Sequence, residues 1–589
     1  MLSVKKPYIF TDGKLLFDYT PLYCNTTQAL LQSELFAEVL HRFIEKLAAK
    51  ESPVYEYFNN NIPMSKKHDM VSYIVNFFRL LNSHTSSEIL RINEEYKEIL
   101  IDKEIVLDFI EELYNFWRRF ERFMYIVVPK RSRYAKASLH HVQFINMHME
   151  FKNLVLEAYR HIRENLLGQN PRVYRQLPAG SNMGMILEQI EWNCPKMFLS
   201  VKDVPFIRIT IVEPPLILYP QQNKRKGMFM ECSHLTEEMF MVVPDQWFCF
   251  PAKVGPLLAF IYFREDYISQ GLSLGNLFQI ADYEEIEGKL PDIILFFGLT
   301  NLPFDNNAMF YEDKDSGLLV GLLKHTEEID YFGYFKKMTL TLHNIANLKT
   351  GKLPVHGAMV NLKVKNAPDV GIVIIGDSGA GKSETLEALR MLADEEIRDM
   401  KIIFDDMGSL SITDKGTIVA YGTEIGAFVR LDDLQPGYAY EEIDRSIFMN
   451  PNKKNARLIM PVTSYHHIVK GYKVDIVLYA NNYEQIADEE PLIEFFNSAE
   501  EALTVFKSGA RLAKGTTDEN GIVHTYFANP FGAPQRKAIH EELSTKYFET
   551  MFRCGIKVGQ IRTRLGIAGF EQQGPEEASK ELLKIIKNP

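Results

Sequence analysis

The segment at residues 370–390 constrains this chain most, because an apolar run there leads into a glycine-rich loop and then into a helical pattern. Ile372 to Ile375 form an uninterrupted apolar run rich in β-branched residues, which predicts a buried strand. Leu386 and Leu389 lie three residues apart and predict a helix after the loop. The loop matches G-x-x-x-x-G-K-[ST] at every fixed position. Its residues are Gly376, Asp377, Ser378, Gly379, Ala380, Gly381, Lys382 and Ser383.

This order of strand, loop and helix predicts a site for the phosphates of a nucleotide. Glycines let the backbone curl so that consecutive N–H groups face an anion, and the helix N-terminus adds partial positive charge. Lys382 supplies a cation for the outer phosphates, and the Ser383 hydroxyl can hold Mg²⁺. The alternative is a glycine-rich turn with a chance lysine, which the complete pattern disfavours. The donor, whether ATP, GTP or pyrophosphate, stays open.

Composition and charge narrow the class of protein. The 589 residues are 46% hydrophobic and 24% charged, which is typical of a globular protein with several domains. The net charge of −11 argues against a general nucleic-acid binder. No apolar run approaches the roughly 20 residues of a membrane span, and the five cysteines are scattered, as expected in a reducing compartment. We therefore expect a cytoplasmic protein that binds neither nucleic acid nor membrane.

Residues 26–168 carry apolar side chains at three- and four-residue spacing, which predicts a helical N-terminal region. Helices are expected at 70–81, 105–128 and 142–167. The aromatic and basic strip at 116–120 has two interpretations, an RNA-binding surface or core packing with solvated arginines, and the helical spacing of the aromatics favours the core. We expect this region, residues 1–195, to mediate self-association.

Residues 196–330 predict a β-rich domain on the substrate side. Short β-like runs occur at 206–212, 215–219, 239–243 and 293–297. The basic cluster 223–227 predicts an exposed loop. Before this domain, Arg172 and Arg175 lie beside a loop of small residues, which is either a surface linker or a site that brings Arg172 or Arg175 to an anionic substrate.

The segment Lys401-Ile-Ile-Phe404 is mostly apolar and is followed by Asp405 and Asp406. In nucleotide sites of this kind, a strand after the phosphate loop places the metal-binding carboxylate. One aspartate is expected to bind metal directly, and the other to act through water or as a general base. A simple turn at the strand end is the alternative.

Several segments between residues 331 and 534 are weak signals separately, but their order along the chain is informative. The segments are Tyr331-Phe-Gly-Tyr-Phe-Lys-Lys337, then His356, the phosphate loop, Asp405-Asp406, Thr423–Arg430, Asn455–Pro461, Phe506–Gly509 and Phe531–Pro534. This series resembles the phosphoenolpyruvate carboxykinases, whose ATP-dependent members read Y-G-G-E-M-K-K, M-H-C-S-A-N, G-L-S-G-T-G-K-T and G-D-D in the same order. The likeness covers about residues 295–570.

The resemblance implies a reaction and a set of roles. Oxaloacetate and ATP would give phosphoenolpyruvate, CO₂ and ADP. A second metal, Mn²⁺, would be held by Lys337, His356 and one of Asp405 and Asp406. Ser383 would hold the Mg²⁺ of the nucleotide, Arg457 would bridge the substrate and the transferring phosphate, and Tyr331 would touch the organic acid. The substrate arginine of the family has no counterpart near the N-terminus, so Arg172 and Arg175 are the candidates.

The loop sequence G-D-S-G-A-G-K-S-E resembles HPr kinase/phosphorylase more closely than the carboxykinases, and so does the preceding segment Val355–Asn361. That resemblance implies a kinase that phosphorylates a protein or small-molecule hydroxyl, with Asp405 or Asp406 as base. A third alternative is a nucleotide-responsive interaction protein without catalysis, which retention of Lys337, His356, Ser383 and both aspartates disfavours.

The fold class expected is α/β, or α+β overall. A helical N-terminal region (1–195) and a mixed β-rich domain (196–330) precede a carboxykinase-type nucleotide- and metal-binding domain (331–589).

Overall fold

The computed structural model describes a chain of mixed α and β structure, which confirms the α+β expectation. The residues that it describes are 6–11, 13–128, 137–169, 178–225, 229–364, 368–391, 397–431, 434, 442–486, 490–513 and 521–587, with the side chains of 128, 137–142, 391 and 398 excepted. Its contacts form two compact units. The first comprises Met1–Gln189 with Ile207–Glu213, and the second comprises Ile190–Phe206 with Pro214–Pro589.

The first unit packs helices around a single apolar core that includes Phe43, Phe77 and Phe109. Its helices are Thr27–Gln32, Glu34–Ala49, Pro53–Asn61, Met70–Leu81, Ser86–Ile92, Lys103–Arg118 and Ala137–Leu167. Strands Tyr8–Thr11, Lys14–Asp18, Glu121–Val128 and Met183–Glu188 pair in that order, the first two antiparallel and the others parallel. The helices expected at 70–81 and 142–167 are therefore confirmed.

The helix expected over 105–128 is wrong in its second half, where the chain forms the strand Glu121–Val128. The reason lies in Arg122, whose buried guanidinium donates to the carbonyls of Trp117 (2.8 Å) and Phe120 (3.0 Å) and so satisfies the end of the preceding helix. The apolar residues beyond it then pair as a strand. Phe116, Trp117 and Phe120 pack against the core, as the helical spacing indicated.

In the second unit, one sheet runs in the order Trp247–Val254, Leu257–Arg264, Ile293–Leu299, Leu319–Lys324, Ala308–Glu312 and Met230–Glu231. The short strand Gln279–Ile280 pairs with its first member. The strand predicted at 293–297 is confirmed, and that at 215–219 forms as Leu216–Leu218. The strand predicted at 206–212 is also confirmed, and all of it except Phe206 belongs to the first unit. The strand predicted at 239–243 is wrong, because Glu237–Phe240 closes a 3-10 turn that buries Met239 and Phe240.

A second sheet of this unit carries the glycine-rich loop. Its strands lie in the order Tyr472–Lys473, Ile418–Gly422, Met407–Ile412, Leu353–Val364, Val370–Ile375, Ile476–Asn481, Lys557–Arg562 and Ile493–Phe495. Ile397–Phe404 pairs with the later part of Leu353–Val364. Smaller sheets join Gly426–Arg430, Arg457–Pro461, Ile447–Met449 and Leu216–Leu218, and join Ala510–Leu512 to Ile522–His524.

The α-helices of the second unit are Ile268–Ser273, Tyr283–Ile286, Phe332–Lys349, Lys382–Met391, Tyr465–Val469, Ala499–Ser508, Lys537–Arg553 and Gln573–Lys587. Phe332–Lys349 explains why residues 196–330 and 331–589 do not separate into two domains. This helix packs on strands of the first sheet and also against Leu353–Val364 of the second. Phe335 stacks on Phe297 with ring centroids 3.8 Å apart. Among the helices described, none combines the length and apolarity that crossing a bilayer requires.

Gly509 lies where two backbone segments of the second unit approach closely, so a substitution there can test the packing of this unit. It ends the helix Ala499–Ser508 at φ +54°, and a Cβ there would lie 1.6 Å from the Thr525 carbonyl oxygen. Gly555 follows the helix Lys537–Arg553 at φ +72°, with open space around a Cβ. We expect Gly555→Ala to cost about 1 kcal/mol of unfolding free energy and Gly509→Ala at least about 2 kcal/mol more. Urea denaturation of both variants measures the difference, and equal costs would contradict the close approach.

Candidate active site

Three strands of the second sheet bring the predicted site residues together. Leu353–Val364 pairs with Met407–Ile412 through His356 and with Val370–Ile375 from Gly357 onward. The Gly357 amide donates to the Asp406 carbonyl at 2.9 Å, and the Gly376 amide donates to the His356 carbonyl at 3.3 Å. The histidine, the aspartate pair and the glycine-rich loop therefore meet at one place in the sheet.

The carbonyls of the loop are tied back by side chains. Lys382 Nζ donates to the Asp377 carbonyl (3.1 Å), Asn482 Nδ2 to the Gly379 carbonyl (3.0 Å) and Thr563 Oγ1 to the Ala380 carbonyl (2.7 Å). Gly381 has φ +97°, where other residues are strained, and a Cβ there would lie 2.6 Å from Thr563 Oγ1. With its carbonyls held in this way, the loop can present N–H groups to an anion at the start of the helix Lys382–Met391.

Asp377 fixes the loop from within. Its carboxylate accepts from the Ser378 amide (2.7 Å), from Arg511 Nε (2.9 Å) and from Thr525 Oγ1 (2.9 Å). Burial opposes its charge, but His356 and Arg511 nevertheless lower the pKa of Asp377. The sequence did not single out Arg511. The available signal was its place in the segment after Phe506–Gly509, which is part of the family resemblance.

Asp405 lies beside the loop serine. Its Oδ1 accepts a hydrogen bond from Ser383 Oγ at 3.0 Å. Burial raises the pKa of Asp405 to about 6, although this hydrogen bond and Lys382 lower it. A carboxylate and a hydroxyl in this contact are a pair that Mg²⁺ can bind, and a carboxyl with a raised pKa is also suited to proton transfer.

Asp406 is the centre of a compact charge cluster. Its Oδ1 lies 2.9 Å from His356 Nε2, and its Oδ2 lies 2.5 Å from Lys336 Nζ. Lys336 also faces Glu424 at 3.4 Å. Burial alone would raise the pKa of Asp406, but Lys336 and His356 hold it far below its ordinary value. Burial alone would lower the pKa of Lys336, but Asp406 and Glu424 raise it. Burial raises the pKa of Glu424 to about 8.

Both ring nitrogens of His356 have polar partners. The side chain is fully buried, and its Nδ1 lies 2.5 Å from the Ala528 carbonyl, which can only accept a hydrogen bond. Its Nε2 lies 2.9 Å from Asp406 Oδ1. A carbonyl that fixes the far nitrogen of the ring is the usual support of a histidine bound to metal.

The structure places Lys336, not Lys337, beside Asp406. Consecutive residues of a helix point about 100° apart, so only one of two adjacent lysines can face the carboxylate. Lys337 Nζ lies over the Phe229 ring (5.6 Å), and the Arg225 guanidinium lies over the same ring (5.7 Å). Burial, and then Arg225, lower the pKa of Lys337 to about 7. The predicted Mn²⁺ ligand set combines Lys337 with His356 and one of the two aspartates. The structure does not place Lys337 beside Asp406, because Lys336 occupies that position.

Arg457 and Tyr331 meet around Phe428. The guanidinium carbon of Arg457 lies 5.2 Å from the Phe428 ring centroid, Lys336 Nζ 5.8 Å, and the Tyr331 ring centroid 6.0 Å. The Arg457 Nε is buried and has no hydrogen-bond partner among the described residues. A buried guanidinium N–H without a partner is costly, and it suits the binding of an anion.

Arg225 lies near the predicted site residue Tyr331, and the sequence analysis does not place it there. The basic cluster 223–227 predicts an exposed loop, but Arg225 is half-buried. Burial lowers the pKa of Arg225, while Tyr334 and Tyr331 act to raise it. The loop before it is held by Asp330, which accepts from the Gln221 amide (2.8 Å), and by Asn450 Nδ2, which donates to the Pro220 carbonyl (2.9 Å). Arg172 and Arg175 lie outside the described residues.

The donors present fit divalent cations in part. In the described part of the chain, no three His, Cys, Asp or Glu side chains form a ready metal-ligand group. Two pairs of donors could bind a metal, Ser383 with Asp405 and His356 with Asp406. Lys336 already neutralises the charge of Asp406, so a metal bound to that carboxylate would have to displace the Lys336 ammonium.

Comparison with known proteins adds no family: no protein-family model matches the chain, and no curated protein matches it.

The two adjacent lysines give a direct test of the cluster. Lys336→Met leaves Asp406 and Glu424 buried without their cation, so we expect it to lower the unfolding free energy by about 3–5 kcal/mol. Lys337→Met removes an ammonium that no carboxylate of the described residues contacts directly, so we expect a change of less than about 1 kcal/mol. Urea denaturation of both variants provides the measurement. The reverse order would contradict the ion pair between Lys336 and Asp406.

Proposed function

We propose that this chain is a metal- and nucleotide-dependent phosphotransferase of the carboxykinase type, converting oxaloacetate and ATP to phosphoenolpyruvate, CO₂ and ADP. The observation that supports it most is the meeting of the glycine-rich loop with Asp405, Asp406, His356 and Lys336. Phosphoryl transfer needs positioning and positive charge around the moving group rather than covalent chemistry by the protein. The cluster has the groups for both tasks.

The donor phosphates would lie against the loop amides, with Lys382 at the outer phosphates. The acceptor dianion would lie between Arg457, Arg225 and Tyr331, since two guanidinium groups suit two carboxylates. Mg²⁺ at Ser383 and Asp405, and Mn²⁺ at His356 and Asp406, would supply Lewis-acid charge for the developing enolate and the transferred phosphoryl group. Lys336, Lys382 and Arg457 would hold further positive charge around the same space.

A kinase acting on a hydroxyl is the second candidate, and a cleft beside the loop favours it. The cleft is about 60 Å³. Its polar lining residues are Ser383, Glu384, Glu387, Arg390 and Asp405, and its apolar ones include Leu386 and Met460. The apolar walls would contact an acceptor that carries an apolar group next to its hydroxyl, whereas oxaloacetate is a small dianion. With its pKa raised to about 6, Asp405 is suited to accept the proton of an acceptor hydroxyl.

One assay separates these functions. Purified full-length protein with Mg²⁺, Mn²⁺ and ATP is given oxaloacetate, or a cell-extract protein fraction with labelled ATP. Phosphoenolpyruvate formation supports the carboxykinase, and label in protein supports the kinase. Lys382→Ala should abolish either activity, because it removes the loop cation, whereas the exposed Lys580→Ala should not. Nucleotide binding without turnover on any acceptor would contradict both and leave a non-catalytic role.

Arg225 should determine the affinity for the dianion. A charge-assisted hydrogen bond contributes about 1.5–3 kcal/mol, so we expect Arg225→Gln to raise the KM for oxaloacetate roughly tenfold or more. The neighbouring Lys224 is exposed, and Lys224→Gln is the matched control. Steady-state kinetics of both variants provide the measurement, and an unchanged KM in Arg225→Gln would remove Arg225 from the acceptor site.

A further inference from the structure

The first unit contains a cavity within its helical core, separate from the residues discussed above. Its volume is about 100 Å³. Protein interiors are packed as densely as organic crystals, and voids much larger than a water molecule are few. A space of this size is therefore a feature that needs a reason.

The cavity wall presents almost only carbon. Phe17, Leu31, Phe78, Ile110 and Phe151 line it, and all five are at most 4% exposed. An apolar void of this kind offers water no partners and stays dry.

The polar atoms of the other lining residues have partners of their own. Tyr114 Oη donates to the Pro178 carbonyl (3.1 Å), and Trp117 Nε1 donates to the Ala179 carbonyl (2.8 Å). Tyr159 Oη donates to the Glu111 carboxylate at 2.8 Å, and Tyr19 Oη donates to the Cys24 carbonyl at 3.3 Å. A polar ligand would thus lose its hydrogen bonds to water without replacement.

One end of the cavity reaches half-buried residues. Leu22, Leu30 and Phe36 belong to the lining and are only partly covered, whereas Leu31 and Phe151 are buried. An entering molecule therefore needs to displace a few side chains near the start of the helices Thr27–Gln32 and Glu34–Ala49, rather than to open the whole core.

We propose that this cavity is a binding site for a small, uncharged apolar molecule with a single aromatic ring or an alkyl group of similar size. Voids of about 150 Å³ lined by aliphatic and aromatic side chains bind benzene. The space here is about 100 Å³, smaller than those voids, which limits the ligand to one small ring or a short alkyl group, and the aromatic walls offer edge and face contacts to it. The proposal does not depend on the phosphotransferase function.

The test uses toluene and phenol as probes of the full-length protein. Toluene is expected to bind in calorimetric titration and to raise Tm. Phenol, which has nearly the same shape, should bind at least about tenfold more weakly, because its hydroxyl finds no free partner. Absence of toluene binding, or equal binding of both probes, would overturn the proposal.

Two variants locate the binding. Ala158 lines the cavity and is 4% exposed, so Ala158→Leu should fill the space, raise Tm and abolish the response to toluene. Leu31→Ala should enlarge the space, lower Tm and gain affinity for naphthalene, which should restore part of the lost Tm. If Ala158→Leu fails to fold, the naphthalene response of Leu31→Ala decides. Toluene binding that survives Ala158→Leu, or a Leu31→Ala variant that naphthalene does not stabilise, would contradict the location.

Discussion

The ion pair between Asp406 and Lys336, completed by His356, is the interaction on which the second unit's proposed chemistry depends. A buried ion pair contributes little to stability compared with an apolar pair of the same volume, while loss of one partner is costly. The sheet nevertheless brings three strands and the helix Phe332–Lys349 together to make it. Such an arrangement is understandable if the charges serve a ligand, because perturbed buried groups concentrate at functional sites.

Several lysine and arginine side chains lie around this pair, although the net charge of the chain is −11. Lys382 lies in the loop, Arg457 lies over Phe428, and Arg225 and Lys337 share the ring of Phe229. The carboxylates of Asp377, Asp405 and Asp406 lie close enough to Lys337 and Lys382 to balance part of this positive charge. The loop amides, and the Arg457 Nε that has no hydrogen-bond partner among the described residues, support a ligand with negative groups.

The sequence predicted the local parts of this site and missed those that depend on tertiary contacts. The apolar run, the glycine-rich motif and the leucine spacing predict the strand, loop and helix at 370–391. The position of the aspartate pair after a predicted strand indicates its place in the site. The choice of Lys336 over Lys337 depends on how one helix is rotated against Asp406, which no local pattern records. Arg225 comes from a distant loop whose composition resembled exposed surface. The apolar spacing predicts helix over Glu121–Val128, where the structure has a strand, because periodicity does not record the contacts of Arg122 with backbone carbonyls.

The most direct measurement of the central claim is a titration of full-length protein with Mn²⁺, followed by electron paramagnetic resonance, in the presence and absence of ATP. If Asp406 and His356 are part of a dication and nucleotide site, wild-type protein should bind Mn²⁺, and ATP should tighten that binding. Asp406→Asn, which keeps the shape and removes the charge, should weaken it at least about tenfold. Equal Mn²⁺ binding by wild type and Asp406→Asn, with no effect of ATP on either, would contradict the account.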